Sequence, residues 1–120
     1  MEEHKDALKN EICEGLRRAF QPEKAKGIEA SILFDLTGDD GFGFYALISN
    51  QSLDFSEEPQ SARVKMKMPA HDFIGLLRGT ISANEAFLTG KLKVGGNLLY
   101  AMRLAPVFKF GQAPPEKSTR

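Results

Sequence analysis

The sequence predicts an α+β domain in which a five-stranded, mainly antiparallel sheet carries helices on one face. Three observations support this prediction. Apolar residues recur at helical spacing near the start of the chain, and from residue 28 they alternate with polar residues through several short segments. Helical spacing returns after residue 69, in short segments separated by glycine, serine and proline. Strands followed by helices in this way are typical of domains whose helices cover one face of a sheet.

Length and charge bound the class of protein. The 120 residues fit one domain, which we expect to span residues 1–108, followed by a flexible polar tail over residues 109–120. The chain has 16 basic and 16 acidic residues, so its formal net charge is zero. Because nucleic-acid-binding domains usually present a strongly basic face, we expect no nucleic-acid partner.

Cysteine usage and the first residues bear on the compartment. Cys13 is the one cysteine, so no disulfide can form within the chain, which favours a reducing compartment. Residues 1–16 are charged and lack the apolar core of a signal peptide. No stretch approaches the roughly 20 apolar residues that a membrane span needs. We therefore expect a cytoplasmic protein.

The first half of the chain reads as one helix and a three-stranded meander. The helix is predicted over residues 3–20, where Leu8, Ile12 and Leu16 form one apolar stripe. Strands follow at residues 28–36 and 42–48, and near residues 53–55, each with apolar residues at alternate positions. The sequence TGDDG between the first two strands is a turn, because glycine and aspartate tolerate positive φ.

The fourth strand, at residues 62–68, has the clearest alternation in the chain. Its sequence ARVKMKM places apolar residues on one face and basic residues on the other. Pro69 is expected in the first turn of the next helix, where its missing N–H costs nothing. That helix has an apolar face that includes Phe73 and Leu77, and Gly79 ends it.

Capping signals define the last two helices. Ser82 and Glu85 are spaced as a capping box, and Gly90 fits the position just after a helix. The sequence GKLKVGGNLLYAM then passes from the fifth strand into a helix over residues 98–104, with Asn97 as its N-cap. The Gly-Gly pair lacks the Lys-Ser/Thr of a P-loop and the longer glycine pattern of a dinucleotide site, so we interpret it as a sharp turn.

Four segments between residues 62 and 104 follow one another in a diagnostic order. The strand ARVKMKM precedes DFIGLLRG, a short helix; ANEAFLTGKLKVGG joins a short helix to the fifth strand; NLLYAMRL is the last helix. This pattern resembles the C-terminal half of the sterol carrier protein type-two family, in a stand-alone, bacterial-type form. ASILFDLTGDDG resembles, more loosely, the first strand and turn of that family. Asn97 stands where the family often has aspartate, and both residues cap a helix well.

The resemblance implies an apolar tunnel between the sheet and the helices. It also implies a long-chain lipid as ligand, of the fatty acid, acyl-CoA, sterol or phospholipid class, with no chemistry done on it. We therefore expect a non-enzymatic lipid-binding or lipid-transfer protein. A dry apolar cavity holds an acyl chain by burial alone, at about 0.8 kcal/mol per methylene.

Large apolar residues predicted to face inward are the candidates for lining such a tunnel. Each one alone fits ordinary core better. The nine phenylalanines, the absence of tryptophan and the flexible methionines favour a cavity for the group as a whole. The candidate lipid-binding residues are Phe34, Phe44, Met66, Phe73, Leu77, Phe87, Leu98, Leu99, Met102 and Phe108. Leu92 and Val94 on the fifth strand are expected to face the same way.

No catalytic or metal-binding motif is visible in the sequence. His4 and His71 have no cysteine or histidine at metal-ligand spacing. Cys13 lies beside the apolar stripe of the first helix and is interpreted as a small packed hydrophobe. The aspartates of DLTGDDG do not have calcium-loop spacing. We therefore predict no catalytic residue, no metal and no cofactor.

Basic residues mark the opposite face of the fourth and fifth strands. If these strands are neighbours, as the resemblance implies, five positive charges stand on the outer face of the sheet. They form either a solvated face that discourages strand pairing or a docking patch for an anionic membrane surface or an acidic partner. The five residues are Arg63, Lys65, Lys67, Lys91 and Lys93.

Two functional hypotheses follow. The first is a module that binds a long-chain lipid for transfer or storage. The second is an accessory or dimerising subunit that presents lipid to a partner enzyme, as bacterial relatives of this fold do, for example in isoprenoid-quinone synthesis. An uncovered stripe of Leu8, Ile12 and Leu16 would mark a partner or dimer surface.

Overall fold

The computed structural model describes residues 2–39 and 41–110, with side chains from residue 7 onward. The predicted order of elements is confirmed. It runs α1 (Glu2–Ala19), β1 (Ala30–Thr37), β2 (Phe42–Ser49), β3 (Ser52–Ser56), β4 (Val64–Pro69), α2 (Ala70–Arg78), α3 (Ala83–Leu88), β5 (Lys93–Gly96) and α4 (Leu98–Leu104). Single 3₁₀ turns at Pro22–Lys24 and Ala105–Val107 follow α1 and α4.

The five strands form one sheet in the order β3-β2-β1-β4-β5. Three of the four neighbouring pairs are antiparallel and β1–β4 is parallel, which confirms the mainly antiparallel prediction. Phe34 is in register with Phe44 on one side and Met66 on the other, so these side chains lie abreast across the inner face. The period-two pattern of the sequence therefore defines the face that receives the helices.

Helices α1 and α2 pack against each other over part of that inner face. Ile12 and Leu16 are fully buried, and Leu8 is half-buried against the same core. A Cβ at Gly15 would lie 2.9 Å from Leu77 Cδ1, so the glycine is what permits the close approach of α2 to α1. The apolar stripe of α1 is thus covered by the domain itself and does not form a partner surface.

Capping residues fix the positions of α3 and α4. The Asn97 side chain accepts a hydrogen bond from Tyr100 N at 3.0 Å, as predicted for an N-cap. Ser82 Oγ accepts from Glu85 N at 3.3 Å. The Glu85 carboxylate makes no return bond within the described residues, so one of the two bonds of the capping box is present.

The boundaries differ from the predictions by one or two residues at several elements: β1 runs from Ala30 to Thr37 where the sequence predicts residues 28–36, and β4 from Val64 to Pro69 where it predicts residues 62–68. Two of the differences have a visible cause. Pro69 lies in β4, paired with Thr37, and its extended backbone (φ −62°, ψ 143°) makes it the N-cap of α2, not a first-turn residue. Because the ladder to β1 continues through Pro69, the prediction is wrong by one residue. Strand β5 begins at Lys93 and excludes Lys91 and Leu92, since Leu92 N donates to Ala86 O and stays joined to α3.

The chain remains packed on the domain up to the end of the described residues. Lys109 N donates to Ala19 O at 2.8 Å, and the Phe110 ring lies 6.4 Å from that of Phe73. The expected flexible tail falls mostly on residues 111–120, outside the described residues, and stays a prediction.

Candidate functional site

A cavity of about 960 Å³ lies between the inner face of the sheet and the short helices α3 and α4. Its size is at the upper end of the roughly 300–1,000 Å³ of small-molecule sites in proteins. Three strands and both of these helices contribute to its walls, together with Leu76 of α2 and the segments that follow α2 and α4. The cavity therefore occupies the part of the inner face that α1 and α2 leave uncovered.

The sheet side of the cavity is built by strand alternation. Val64 and Met66 of β4 line it, as do Phe34 of β1 and Val94 of β5. Met66 is in register with Val94, so neighbouring strands present one continuous apolar floor. Leu92, just before β5, completes this floor.

The helix side of the cavity is unusually accessible. Phe87, Leu98 and Met102 line the cavity, yet they are 55%, 57% and 71% exposed. Their accessible area faces a space large enough for solvent, because no side chain fills the cavity opposite them. Three large apolar side chains that are exposed to the cavity in this way can contact an apolar ligand.

Few polar groups reach the cavity. Ser82 and Asn84 border it at the start of α3, and Ser82 Oγ is already used as a cap. Lys109 also borders it, between Phe108 and Phe110, whose stacked rings lie 5.8 Å apart on one side of an extended segment. Lys109 is the one charged residue among the described residues that line the cavity, and it is exposed. Burial of apolar surface is therefore the main interaction that this site offers.

The structure brings six of the ten predicted residues to the cavity. They are Phe34, Met66, Phe87, Leu98, Met102 and Phe108. Leu98 and Met102 share a helix face because they are four residues apart. Leu99 is turned away by about 100° and is 77% exposed outside the cavity.

The other three predicted residues lie in the packed core. Phe44 stacks on Phe34 at 5.2 Å, and Phe73 is fully buried with its ring 5.5 Å from Phe34. Leu77 is half-buried and faces Gly15 of α1. A side chain that points inward from a strand or helix can lie either in the packed core or at the cavity. Which of the two it does depends on the element that lies opposite it.

Several lining residues stood outside the predicted set. Val64 could have been included from its alternation with Met66. Ile32 could have been included in the same way, from its alternation with Phe34. Leu76 and Leu104 lie on predicted helices. Ile81 and Phe110, in contrast, lie in segments whose position depends on tertiary packing and for which the sequence gives no local signal. These further residues are Ile32, Val64, Leu76, Ile81, Leu104 and Phe110.

The predicted basic residues are distributed over the strand face and two flanking positions. Lys65, Lys67 and Lys93 are exposed on the outer face, and Lys67 is directly opposite Lys93. Like charges in that position repel each other. Lys91 is exposed just before β5, and the Arg63 guanidinium lies 5.0 Å from the Tyr100 ring centre. None of the five has an ion-pair partner in the described part of the chain.

Groups capable of chemistry are few in the described residues. Among them, no three His, Cys, Asp or Glu side chains are close enough together to hold a metal ion. Burial raises the pKa of the Cys13 thiol, while nearby Arg17 acts in the opposite direction. His71 is exposed, and the His4 side chain is outside the described part. No helix within the described ranges has the length and apolarity to cross a bilayer.

A sheet whose inner face and short helices border a large, partly open apolar cavity defines a small domain with room for an apolar ligand. The sequence matches the SCP-2 sterol transfer family over residues 10–109. The chain belongs to this family.

Relatives and a solved structure agree with this assignment. Hydroxysteroid dehydrogenase-like protein 2 from Homo sapiens is 29% identical over 91 residues, which is 74% of this chain and 22% of that protein. The chain thus spans about a fifth of the length of such relatives. Non-specific lipid-transfer protein-like 1 from Caenorhabditis elegans is 30% identical over 107 residues, covering 85% of this chain and 87% of that protein. Sterol carrier protein 2 from Yarrowia lipolytica, in its apo form, superposes with a TM-score of 0.55 at 27% identity, over 82% of this chain and 88% of that one.

Proposed function

We propose that this chain binds a long-chain lipid non-covalently in its cavity and carries or stores it without altering it chemically. The cavity of about 960 Å³, whose walls are mainly apolar, is the observation that carries the proposal. An acyl chain placed there gains about 0.8 kcal/mol for each methylene removed from water. Membership of the SCP-2 sterol transfer family and similarity to a lipid-transfer protein support the same function.

The walls of the cavity suit several classes of lipid. Phe87 and Met102 offer a flat ring and a flexible thioether, which accommodate apolar groups of different shapes. Lys109 is the single charged residue among the described residues that line the cavity, and one cation alone does not distinguish one lipid headgroup from another. The proposal therefore includes the fatty acid, acyl-CoA, sterol and phospholipid classes. We also propose that the protein is cytoplasmic.

Extraction of the natively purified protein with organic solvent, followed by mass spectrometry, tests this proposal. We expect long-chain lipid in near-stoichiometric amount. Uptake of a fluorescent fatty acid by delipidated protein is the matching measurement in solution. A protein that yields no lipid and takes up no fluorescent fatty acid would contradict the proposed function.

An accessory role is the second candidate. The observation that favours it is the small share of hydroxysteroid dehydrogenase-like protein 2 that this chain matches, since such a domain there forms part of a longer protein. The buried stripe of α1 does not supply the partner surface, because Ile12 and Leu16 are fully covered. Co-purification from the native host with an enzyme of lipid or isoprenoid-quinone metabolism, or a dimer in gel filtration, would favour this role.

A further inference from the structure

The exposed apolar surface of this protein is concentrated in one segment. All five large apolar side chains that are exposed among the described residues lie between residues 87 and 102, on α3 and α4. Three of them line the cavity. Leu88 and Leu99 do not, and they are the most exposed of the five, at 81% and 77%.

These two leucines are next to cavity residues on their helices. Leu88 follows Phe87, and Leu99 follows Leu98, so each is turned by about 100° from a side chain that lines the cavity. Apolar surface therefore continues from the cavity wall to the outside of both helices. We call Leu88 and Leu99 the apolar rim.

Cations accompany this apolar surface. Lys91 follows α3, three residues after Leu88, and Arg103 is four residues after Leu99 on α4; both are exposed. The one acidic residue on the two helices is Glu85, exposed three residues before Leu88. Neither Lys91 nor Arg103 makes an ion pair within the described ranges. Exposed leucine together with unpaired lysine and arginine is the combination that binds the interface of an anionic membrane.

We propose that the apolar rim, together with Lys91 and Arg103, docks the protein on an anionic lipid bilayer, with α3 and α4 facing the membrane. This inference rests on the proposed lipid-carrier function and adds the surface through which the lipid enters. With the rim in the interfacial region, a lipid chain can pass from the bilayer to Phe87 and Leu98 without crossing water. The outer face of the sheet offers no such path, because the sheet lies between that face and the cavity.

Single tryptophan reporters test the docking surface, since the chain contains no tryptophan. The variants Leu88→Trp and Leu99→Trp report on the rim, and Tyr45→Trp reports on the outer face of the sheet. Each is mixed with vesicles of phosphatidylcholine alone or with about a quarter of phosphatidylglycerol. We expect a blue shift of emission, with quenching by brominated lipid, for the two rim reporters and only on the anionic vesicles. A blue shift of Tyr45→Trp without one at the rim would overturn the proposal in favour of the sheet face.

Removal of the rim gives the quantitative test. We expect Leu88→Asn with Leu99→Asn to weaken partition onto the anionic vesicles about tenfold, because two leucines lose interfacial burial. Arg103→Gln should weaken it about fivefold at low salt and less at high salt. The control pair Lys65→Gln and Lys67→Gln, on the outer sheet face, should have less effect than the rim pair.

Binding of a fluorescent fatty acid without vesicles separates this inference from the proposed function. We expect the rim variants to bind the fatty acid as wild type does, with unchanged circular dichroism. If wild type binds the fatty acid but the rim variants bind vesicles normally, the docking proposal fails and the carrier function stands. If the rim variants instead abolish a dimer of wild type in gel filtration, the rim is covered by a second copy and the docking proposal also fails.

Discussion

The two halves of the inner face differ in how they use apolar side chains. Beneath α1 and α2, the rings of Phe34, Phe44 and Phe73 lie within 5.5 Å of a neighbour, and Ile12 and Leu16 have no exposed surface. Beneath α3 and α4, comparable side chains face an open cavity. Phe34 belongs to both regions, since it stacks on Phe44 and also lines the cavity. The comparison indicates that one half is packed as a core, whereas the other half leaves the space in which we propose that the ligand binds.

Element length explains this division. Helix α1 has 18 residues and buries Ile12, Leu16 and Ala19, whereas α3 and α4 have six and seven residues. Helices of two turns have few positions with which to fill the space above three strands. Each of these two helices has one buried residue, Ala86 on α3 and Leu104 on α4, and the space above the strands is left open.

The largest expected effect comes from removing a ring in the packed half. Phe73→Ala should lower the free energy of unfolding by about 3–5 kcal/mol, because a fully buried ring leaves a cavity that its neighbours cannot fill. Phe87→Ala, in the cavity half, should cost less than about 1 kcal/mol. Urea denaturation followed by circular dichroism measures both values. Equal losses for the two variants would remove the distinction between the halves.

The next effect concerns the turn that joins β5 to α4. Gly96 has φ +88°, and a Cβ there would lie 2.2 Å from Arg63 O, so Gly96→Ala forces the backbone to move. We expect a loss of about 1–3 kcal/mol together with weaker fatty acid uptake. The neighbouring Gly95→Ala is the control, because nothing lies within 4 Å of its Cβ. Similar behaviour of both variants would show that this turn does not position the cavity wall.

A smaller effect should appear at the cavity wall itself. Met102→Gln puts an amide where the ligand is expected and should weaken fatty acid uptake about tenfold with little change in stability. Leu99→Gln, on the same helix but outside the cavity, should leave uptake unchanged. Titration with a fluorescent fatty acid distinguishes the two, and a wild-type affinity for Met102→Gln would show that the ligand lies elsewhere.

The smallest effect concerns Cys13 in the packed half. Burial raises the pKa of this thiol, so the folded state favours its neutral form. Alkylation by iodoacetamide at mildly alkaline pH should therefore be slower in the native protein than in urea. Because the folded pKa is the higher one, the contribution of this group to stability is present below the ordinary thiol pKa and is lost as pH rises through the raised value. Equal alkylation rates would show that α1 is loosely packed.

The sequence predicted the strands and caps well because their signals are local. Alternation identified every strand of the sheet, and Asn97 caps α4 as its residue type predicts. The division between core and cavity was not predictable in the same way. Phe73 and Phe87 look alike in the sequence, and only the elements placed opposite them make one buried and the other open. Leu99 shows the same limit. It follows Leu98 on α4, and this single step along the helix turns its side chain from the cavity to the surface.

Methyl NMR of the methionines tests the central claim most directly. Of the four methionines, Met66 and Met102 line the cavity, whereas Met68 is 2% exposed in the core two residues along the same strand. The experiment labels the methionine methyl groups with ¹³C and titrates oleate into delipidated protein. We predict that the Met66 and Met102 resonances shift together and that the Met68 resonance stays in place. A shift of Met68 as large as theirs, or no shift at saturating oleate, would contradict a ligand site between the sheet and the helices α3 and α4.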